Sequence, residues 1–225
     1  MDTPLYKLYF LKRLPAFFEL SGEEWAALRA EFSARQTALG IRDLINAEMA
    51  WSNEVFEFFG VEYYPSAEAV QTYTRSLADL GFFRYLASES YLGIPMDASY
   101  PDFVPEPPEP GSRAVYRLYL ARERPCALAL PTDVQEQLNA GLTEELRRVG
   151  GRALLGAYTR WNNERWEYFG VERFPTLEAV ISYSQFLSSS GWYRNVDACS
   201  YLGVAFGGLV TGLPLAGLAE DVQPE

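Results

Sequence analysis

The chain has 225 residues, and its 19 Lys and Arg against 30 Asp and Glu give it a formal net charge of −11. A chain this acidic, without any basic run, is a poor partner for nucleic acid or for an anionic membrane, so we expect neither. It contains no histidine, which excludes a Ser-His-Asp triad and a His-ligated haem and argues against a zinc centre.

The first part of the chain is predicted to run strand, helix, strand, strand, helix, strand. Aromatic and polar side chains alternate over residues 5–11, which is typical of a strand. A helix follows, with Ser21 as its N-cap, Glu24 completing a capping box and Gly40 at its end. The remaining elements are two strands at about 44–51 and 55–64, a helix from Pro65-Ser66 to Gly81, and a strand at about 85–94.

The same plan recurs from Val115 to Val204, because the chain contains its own sequence twice at a spacing of 110 residues. Residues 51–94 and 161–204 are identical at 20 of 44 positions without a gap. A period this long indicates a duplicated domain rather than a solenoid, and two fused copies suggest an ancestral symmetric dimer. In the second copy we predict Thr132 and Thr176 as helix N-caps and Gly150 and Gly191 as helix ends.

The order βαββαβ in each copy predicts a four-stranded antiparallel sheet with two helices on one face, which is the ferredoxin-like plan. The other sheet face is bare in each copy, so we expect the two bare faces to pack against each other within one chain. The predicted fold class is therefore α+β, with two tandem ferredoxin-like modules packed sheet to sheet as an intramolecular α+β barrel.

Composition sets the expected boundaries of these modules. Five prolines between residues 101 and 110 predict a semi-rigid linker. The apolar end of the chain is short and is interrupted by Gly and Pro, so we do not expect it to span a bilayer as a helix. We divide the chain into a first barrel half over 1–95, a Pro-rich linker over 96–112, a second barrel half over 113–205 and a C-terminal tail over 206–225.

One stretch carries a resemblance to a known group of proteins. A strand ending in Glu62-Tyr63-Tyr64 leads through a Pro65-Ser66 turn into a Glu-Ala helix. This pattern resembles the dimeric α+β barrel superfamily, of the antibiotic-biosynthesis-monooxygenase and polyketide-cyclase type. Members often carry a histidine on that helix, where this chain has Tyr73 and, in the second copy, Tyr183.

Alternation along the strands sorts the side chains into two sheet faces. We expect the more apolar face, with Tyr6, Leu8 and Phe10, to lie under the helices. The opposite face would then line the space between the two sheets. In the first copy it contains Lys7, Tyr9, Phe56, Phe58, Glu62, Tyr64 and Tyr91; in the second it contains Arg117, Tyr119, Trp166, Tyr168, Glu172, Phe174 and Tyr201.

Glu62 and Glu172 are the leading catalytic candidates, because a carboxyl group on an aromatic-lined inner face has a raised pKa unless it is paired. The alternative is that each merely pairs with Lys7 or Arg117. We favour the second copy as the functional half, because the Arg117 guanidinium can bind an anion through two hydrogen bonds, whereas the Lys7 ammonium is a point charge. Tyr168 adds a hydroxyl group to this half and is the third catalytic candidate.

The remaining candidates are ligand contacts. Asn53 and Asn163 lie in a repeated Trp-x-Asn-Glu element, where capping of a turn is favoured over binding of a ligand. Gly60 and Gly170 are expected to leave room for a ligand. The full set of predicted binding residues is Lys7, Tyr9, Asn53, Phe56, Tyr91, Arg117, Tyr119, Asn163, Trp166 and Tyr201.

Two functions remain open at this point. The resemblance implies a cofactor-independent enzyme of secondary metabolism, acting on an aromatic or polyketide-like molecule as a monooxygenase, cyclase or isomerase. The alternative is a non-catalytic barrel that binds small molecules or acts as a scaffold. We expect a hydrophobic or aromatic small molecule as the partner, no metal or other cofactor, and a monomeric or homodimeric protein. Two cysteines without a CxxC motif are compatible with the expected cytoplasmic location.

Overall fold

The computed structural model describes residues 3–96, the first half, and residues 112–206, the second half. Nearly all of the predicted linker and of the predicted tail lies outside these described residues, so both assignments stay predictions. The first half contains β1 (Leu5–Arg13), α1 (Gly22–Ala38), β2 (Arg42–Glu48), β3 (Phe58–Tyr64), α2 (Ala67–Asp79), α3 (Phe82–Tyr85) and β4 (Leu86–Pro95). The second half contains β5 (Val115–Glu123), α4 (Pro125–Leu128), α5 (Thr132–Arg148), β6 (Arg152–Tyr158), β7 (Tyr168–Phe174), α6 (Leu177–Ser189), α7 (Trp192–Asn195) and β8 (Val196–Ala205).

The helices begin and end largely where the capping residues predict. Ser21 and Glu24 form the reciprocal capping box at the start of α1, and Thr176 caps α6. All four glycines expected at helix ends have a positive φ, between 68° and 80°, which glycine adopts without strain. The prediction for α5 was wrong, because Pro131 occupies the N-cap position without a side-chain hydrogen bond and Thr132 is the first helical residue.

The eight strands close into one antiparallel barrel. Each half forms a four-stranded sheet, in the order β4-β1-β3-β2 in the first half and β6-β7-β5-β8 in the second. The sheets join edge to edge where β2 pairs with β8 and where β4 pairs with β6. Each junction is short, with two paired residues on each strand. The predicted fold, two ferredoxin-like modules forming an intramolecular α+β barrel, is confirmed.

The barrel interior holds the main hydrophobic core, and it is built by both halves. Tyr6, Leu8 and Phe10 of β1 pack there with Leu118 and Phe169 of the second half. The prediction that this face of β1 lies under the helices was therefore wrong. The centre of a closed barrel is out of reach of water on all sides, so it takes the more uniformly apolar of the two faces.

The opposite face of each sheet lies under that half's own helices. In the first half Leu5, Leu11, Phe58 and Tyr64 pack there against α1, α2 and α3, and Lys7, Tyr9 and Glu62 share this face. In the second half Val115 and Phe174, the equivalents of Leu5 and Tyr64, pack in a smaller cluster with residues of α5 and α6. No helix of the described residues is long and apolar enough to cross a membrane.

Candidate functional site

Polar side chains meet in two cavities, one in each half, that lie between a sheet and its covering helices. A third cavity, of about 100 Å³, adjoins the second-half cavity and shares Asn139, Leu142, Tyr168 and Trp192 with it. The first-half cavity has a volume of about 270 Å³, and the second-half cavity has a volume of about 180 Å³. Neither lies between the two sheets, where the ligand site was predicted. The first is lined by Lys7, Tyr9, Glu62, Tyr73, Leu77 and Phe82 among others; the second is lined by Arg117, Tyr119, Tyr168, Glu172, Tyr183 and Trp192 among others.

Glu62 lies at the centre of a hydrogen-bonded network in the first half. Its carboxyl group accepts from the amide of Gln36 on α1 at 3.0 Å and from the hydroxyl of Tyr64 at 2.7 Å. The same Gln36 amide also reaches Asp43 of β2, at 3.3 Å. Burial raises the pKa of Glu62 to about 7, with the Lys7 charge opposing the rise and the Asp43 charge adding to it. Glu62 therefore exchanges a proton near neutral pH.

Lys7 lies directly opposite Glu62 in the β1–β3 ladder, so the two share a face as predicted. Its ammonium group lies 5.9 Å from the centroid of the Tyr64 ring. Within the described residues Lys7 forms no ion pair at 4 Å or less, although its charge acts on Glu62. The first-half cavity therefore contains a half-buried cation that no carboxylate of this part of the chain neutralises by direct contact.

The space beside each inward-facing glycine is filled by a tyrosine ring. The Tyr9 hydroxyl donates to the side-chain oxygen of Asn46 at 2.6 Å, and a Cβ placed on Gly60 would overlap that tyrosine. Tyr119 lies over Gly170 in the same way. The prediction that these glycines leave room for a ligand was wrong. Burial raises the pKa of Tyr9 well above its usual value, so the phenol keeps its proton.

Glu172 is neutralised by an ion pair in the second half. The Arg117 guanidinium reaches its carboxylate at 2.7 Å, and both side chains are buried, as the sequence predicted. The guanidinium also lies 5.5 Å from the Tyr119 ring centroid and 5.8 Å from that of Tyr183. Its Nη2 atom is buried and has no hydrogen-bond partner within the described residues. Burial raises the pKa of Glu172, and Arg117 opposes that rise.

Several predicted contacts lie away from both cavities. Phe56, Tyr91, Trp166 and Tyr201 belong to the barrel core instead, where the Tyr201 ring packs 4.7 Å from that of Phe10. These four side chains are therefore not brought together with either glutamate. Tyr168 does line the second-half cavity, and burial raises its pKa to about 12.

The two asparagines of the repeated element stabilise turns. The Asn53 side-chain oxygen accepts from the backbone N–H groups of Val55 and Phe56, both at 2.8 Å. Asn163 accepts from the equivalent groups at 2.9 and 2.8 Å. These bonds occupy the carboxamide oxygens and correspond to the turn-capping role that the sequence favoured.

Several polar residues of the site were missed from the sequence, among them Thr74 and Ser88 in the first-half cavity. Gln36, Asp43 and Asn46 surround the first-half network, and Asn139 lines the second-half cavity. Gln36 carried a usable signal, because it follows Phe32 by one helical turn on the apolar stripe of α1 and is nevertheless polar. Asp43 and Asn46 follow no pattern that distinguishes them from ordinary strand polar residues.

Comparison with known proteins identifies structures of the same fold. No protein-family model matches the chain, and no curated protein matches its sequence. An arginine-to-alanine variant of chlorite dismutase from Candidatus Nitrospira defluvii is similar over 92% of both chains, at 13% identity and a TM-score of 0.73. The same enzyme in complex with imidazole gives the same values. A protein proposed to be a chlorite dismutase covers 92% of this chain and 96% of its own, at 11% identity and a TM-score of 0.68.

At these identities the likeness establishes the fold alone. The structures support the ferredoxin-like α+β fold and not the narrower antibiotic-biosynthesis-monooxygenase and polyketide-cyclase type. Chlorite dismutases are haem-dependent. The prediction of a cofactor-independent monooxygenase, cyclase or isomerase is therefore wrong in the class of enzyme that it took from the resemblance. The non-catalytic alternative gains no better support.

Proposed function

We propose that the first-half cavity binds a small monovalent oxyanion, with Lys7 as its counter-charge and Glu62 as a group that gives or takes a proton. The observation that carries the proposal is the unneutralised Lys7 ammonium in a cavity of about 270 Å³. The equivalent cation of the second half, Arg117, is instead bound to Glu172. This assignment moves the working site from the second half, which the sequence favoured, to the first.

Proton exchange at Glu62 makes such binding depend on pH. Below about pH 7 the carboxyl group is neutral, so Lys7 gives the cavity lining a net positive charge. Above that pH Glu62 is ionised and repels an anion at short range. Asp43 does not line the cavity; it lies behind the Gln36 amide. Affinity for an anion should therefore fall as the pH rises through 7, and binding below pH 7 should raise the pKa of Glu62 further.

Haem, which this fold class implies, does not fit the residues present. Haem iron is held by His, Cys, Met or Tyr, and the chain has no histidine. Cys126 and Met96 are exposed, and Cys199 and Met49 pack in the barrel core, so none of the four lines either cavity. Tyr119 and Tyr183 line the second-half cavity, but burial and the Glu172 charge raise the pKa of both, which opposes a phenolate ligand.

Cavity size points the same way. The second-half cavity, at about 180 Å³, and the cavity adjoining it, at about 100 Å³, are each smaller than the roughly 300–1,000 Å³ typical of cofactor sites. We therefore derive no step through haem. The name chlorite dismutase indicates a small oxyanion as the substrate of those enzymes, and this class of ligand also suits Lys7.

Calorimetric titration with acetate and with chlorite, at pH 6 and pH 8.5, tests the proposal and separates a carboxylate from an inorganic oxyanion. We expect binding at least about tenfold tighter at pH 6, because ionisation of Glu62 places a like charge in the site. Lys7→Met should lose binding, and Glu62→Gln should bind equally at both pH values. Arg117→Lys, in the second half, is the control and should bind like the unmodified chain.

Two results would overturn the proposal. The first is binding by Lys7→Met that equals binding by the unmodified chain, which would show that the ammonium group is not the counter-charge. The second is the absence of binding at pH 6 by a chain that is folded as judged by circular dichroism. Equal affinity at both pH values would remove Glu62 from the site.

A further inference from the structure

We infer that the anion bound in the first-half cavity carries an apolar tail, so that the ligand is a medium-chain monocarboxylate. This inference rests on the proposed function and adds the ligand's second chemical feature. It follows from the arrangement of charged and apolar side chains along the cavity, which differs from one end to the other.

The cavity has a charged end. Lys7 pairs with Glu62 across the β1–β3 ladder and with Leu92 across the β1–β4 ladder. Tyr73 of α2 faces the same region, since the Glu62 charge contributes to raising its pKa. A carboxylate placed here meets the ammonium group of Lys7 and the one carboxyl group of the lining, which is neutral below about pH 7.

The other end of the cavity is apolar. It lies four ladder positions further along β1, where Leu11 pairs with Ser88. Leu77 of α2 and two adjacent phenylalanines of α3, Phe82 and Phe83, cover it. Phe83 is 45% exposed, so this end opens toward solvent beside an aromatic side chain.

The dimensions fit a chain of moderate length. Four residues separate Lys7 from Leu11, which is about 13 Å at 3.3 Å per strand residue. A volume of about 270 Å³ holds about nine non-hydrogen atoms, if each takes about the 30 Å³ of a water molecule in the liquid. A monocarboxylate of about seven carbons has nine such atoms and spans most of that length.

The second half lacks this combination. Its cation, Arg117, is held in an ion pair with Glu172, so the charge that the first half offers to a carboxylate is already neutralised there. Phe82 and Phe83 are replaced there by Trp192 and Tyr193 at the 110-residue spacing. We therefore assign the tail-binding feature to the first half alone.

A chain-length series tests the inference. Acetate, butanoate, hexanoate, octanoate and decanoate are titrated calorimetrically into the full chain at pH 6. We expect each added methylene to tighten binding about threefold to fourfold, and the gain to level off near seven or eight carbons. Octanol, which has the tail without the charge, should bind more weakly than octanoate and without pH dependence.

A blocking variant locates the tail. Ser88 is an exposed strand residue at the apolar end. Ser88→Phe should reduce, by two or more carbons, the chain length at which affinity stops rising, and it should leave acetate binding unchanged. Its matched control is Ala198→Phe, at the equivalent position of the second half, which should change neither.

The outcomes distinguish the two proposals. Acetate that binds as tightly as octanoate would overturn the apolar tail and leave the oxyanion site standing. A length dependence that Ser88→Phe does not change, while Ala198→Phe does, would place the tail in the second half and overturn the assignment. Binding by none of the acids at pH 6 would overturn the monocarboxylate, and the oxyanion site would fall with it only if chlorite also failed to bind.

Discussion

Each half buries a glutamate under its helices, but the side chains that surround the carboxyl group differ between the halves. Glu62 and Glu172 occupy equivalent strand positions, each opposite a basic residue of the neighbouring strand. Three polar side chains near Glu62 are replaced by apolar side chains at the equivalent positions near Glu172. The residues that replace one another at the 110-residue spacing are Gln36 and Leu146, Asp43 and Ala153, and Tyr64 and Phe174.

These replacements decide what each carboxyl group can do. With only Arg117 as a hydrogen-bond partner in the described residues, Glu172 is held in an ion pair that opposes the rise in its pKa caused by burial. With Gln36 and Tyr64 as neutral donors and Asp43 as a like charge, Glu62 is free to exchange its proton near pH 7. A fused pair of copies thus permits one half to stabilise the fold and the other to hold a titratable site.

The largest expected effect comes from breaking the ion pair. Glu172→Gln leaves the Arg117 charge buried without its partner, and we expect this to lower the free energy of unfolding by about 3–5 kcal/mol. Urea denaturation at pH 7 measures it. The double variant Arg117→Met/Glu172→Leu should recover most of the loss, because the pair is replaced by apolar groups of similar volume. A single variant as stable as the unmodified chain would show that the pair contributes nothing.

The effect of Glu62→Gln on the free energy of unfolding should depend on pH. Between about pH 4.5 and 7 the unfolded chain has lost the Glu62 proton while the folded chain keeps it, so stability falls as the pH rises through this window. The shift from 4.5 to about 7 corresponds to about 3 kcal/mol. We expect Glu62→Gln to remove this loss, so that the variant gains stability relative to the unmodified chain at pH 8 compared with pH 4.

Urea denaturation of both proteins across pH 4–8 gives the difference directly. Other titrating groups are common to the two proteins and cancel in that difference. Glu172→Gln is compared in the same way: burial raises the pKa of Glu172 too, with Arg117 opposing the rise, so its stability difference should change with pH in the same direction, added to the cost of breaking the ion pair. A stability difference between Glu62→Gln and the unmodified chain that is constant with pH would contradict the shifted pKa.

The paired glycines offer a smaller, graded comparison. An added Cβ at Gly60 would meet both the Tyr9 ring and the backbone oxygen of Ile45, whereas at Gly170 its nearest neighbours all belong to the Tyr119 side chain. The Tyr119 ring can shift to relieve the overlap, whereas the Ile45 backbone oxygen is held in the sheet. We expect Gly60→Ala to cost about 3 kcal/mol and Gly170→Ala about 1 kcal/mol. Thermal unfolding of the two variants ranks them, and the reverse order would contradict this account.

The smallest effect concerns the helix starts. Ser21 caps α1 through a capping box, so Ser21→Ala should cost about 1 kcal/mol. Pro131 provides no cap for α5, so Pro131→Ser should gain up to about 1 kcal/mol. Thermal unfolding measures both. A negligible change in stability in both variants would show that packing alone fixes the starts of both helices.

Much of the fold could be predicted from the chain because its signals are local. The capping serine Ser21 and the helix-ending glycines act over a few residues, and the 110-residue repeat shows that the same plan occurs twice. Closure of the barrel followed from the bare face in each copy. The assignment of faces failed because both faces of each sheet are covered, one by helices and one by the other half. Alternation separates Tyr6 from Lys7 but does not say which cover each one meets.

The site depended on that assignment. Glu62, Lys7 and Tyr9 were identified, but they were placed between the sheets when they lie beneath α1 and α2. The groups that set the pKa of Glu62 come from four elements, with Lys7 on β1, Asp43 on β2, Tyr64 on β3 and Gln36 on α1. Their convergence is a property of the packed structure, and no spacing in the sequence encodes it.

The titration of Glu62 itself tests the central claim most directly. Carbon-detected NMR of the glutamate side-chain carboxyl groups, assigned by the absence of one signal in Glu62→Gln, follows its ionisation from pH 4 to pH 9. We expect a midpoint near pH 7, and a higher midpoint in the presence of a bound monocarboxylate. A midpoint at or below 4.5, with or without the acid, would contradict the account of the first half as the proton-exchanging site.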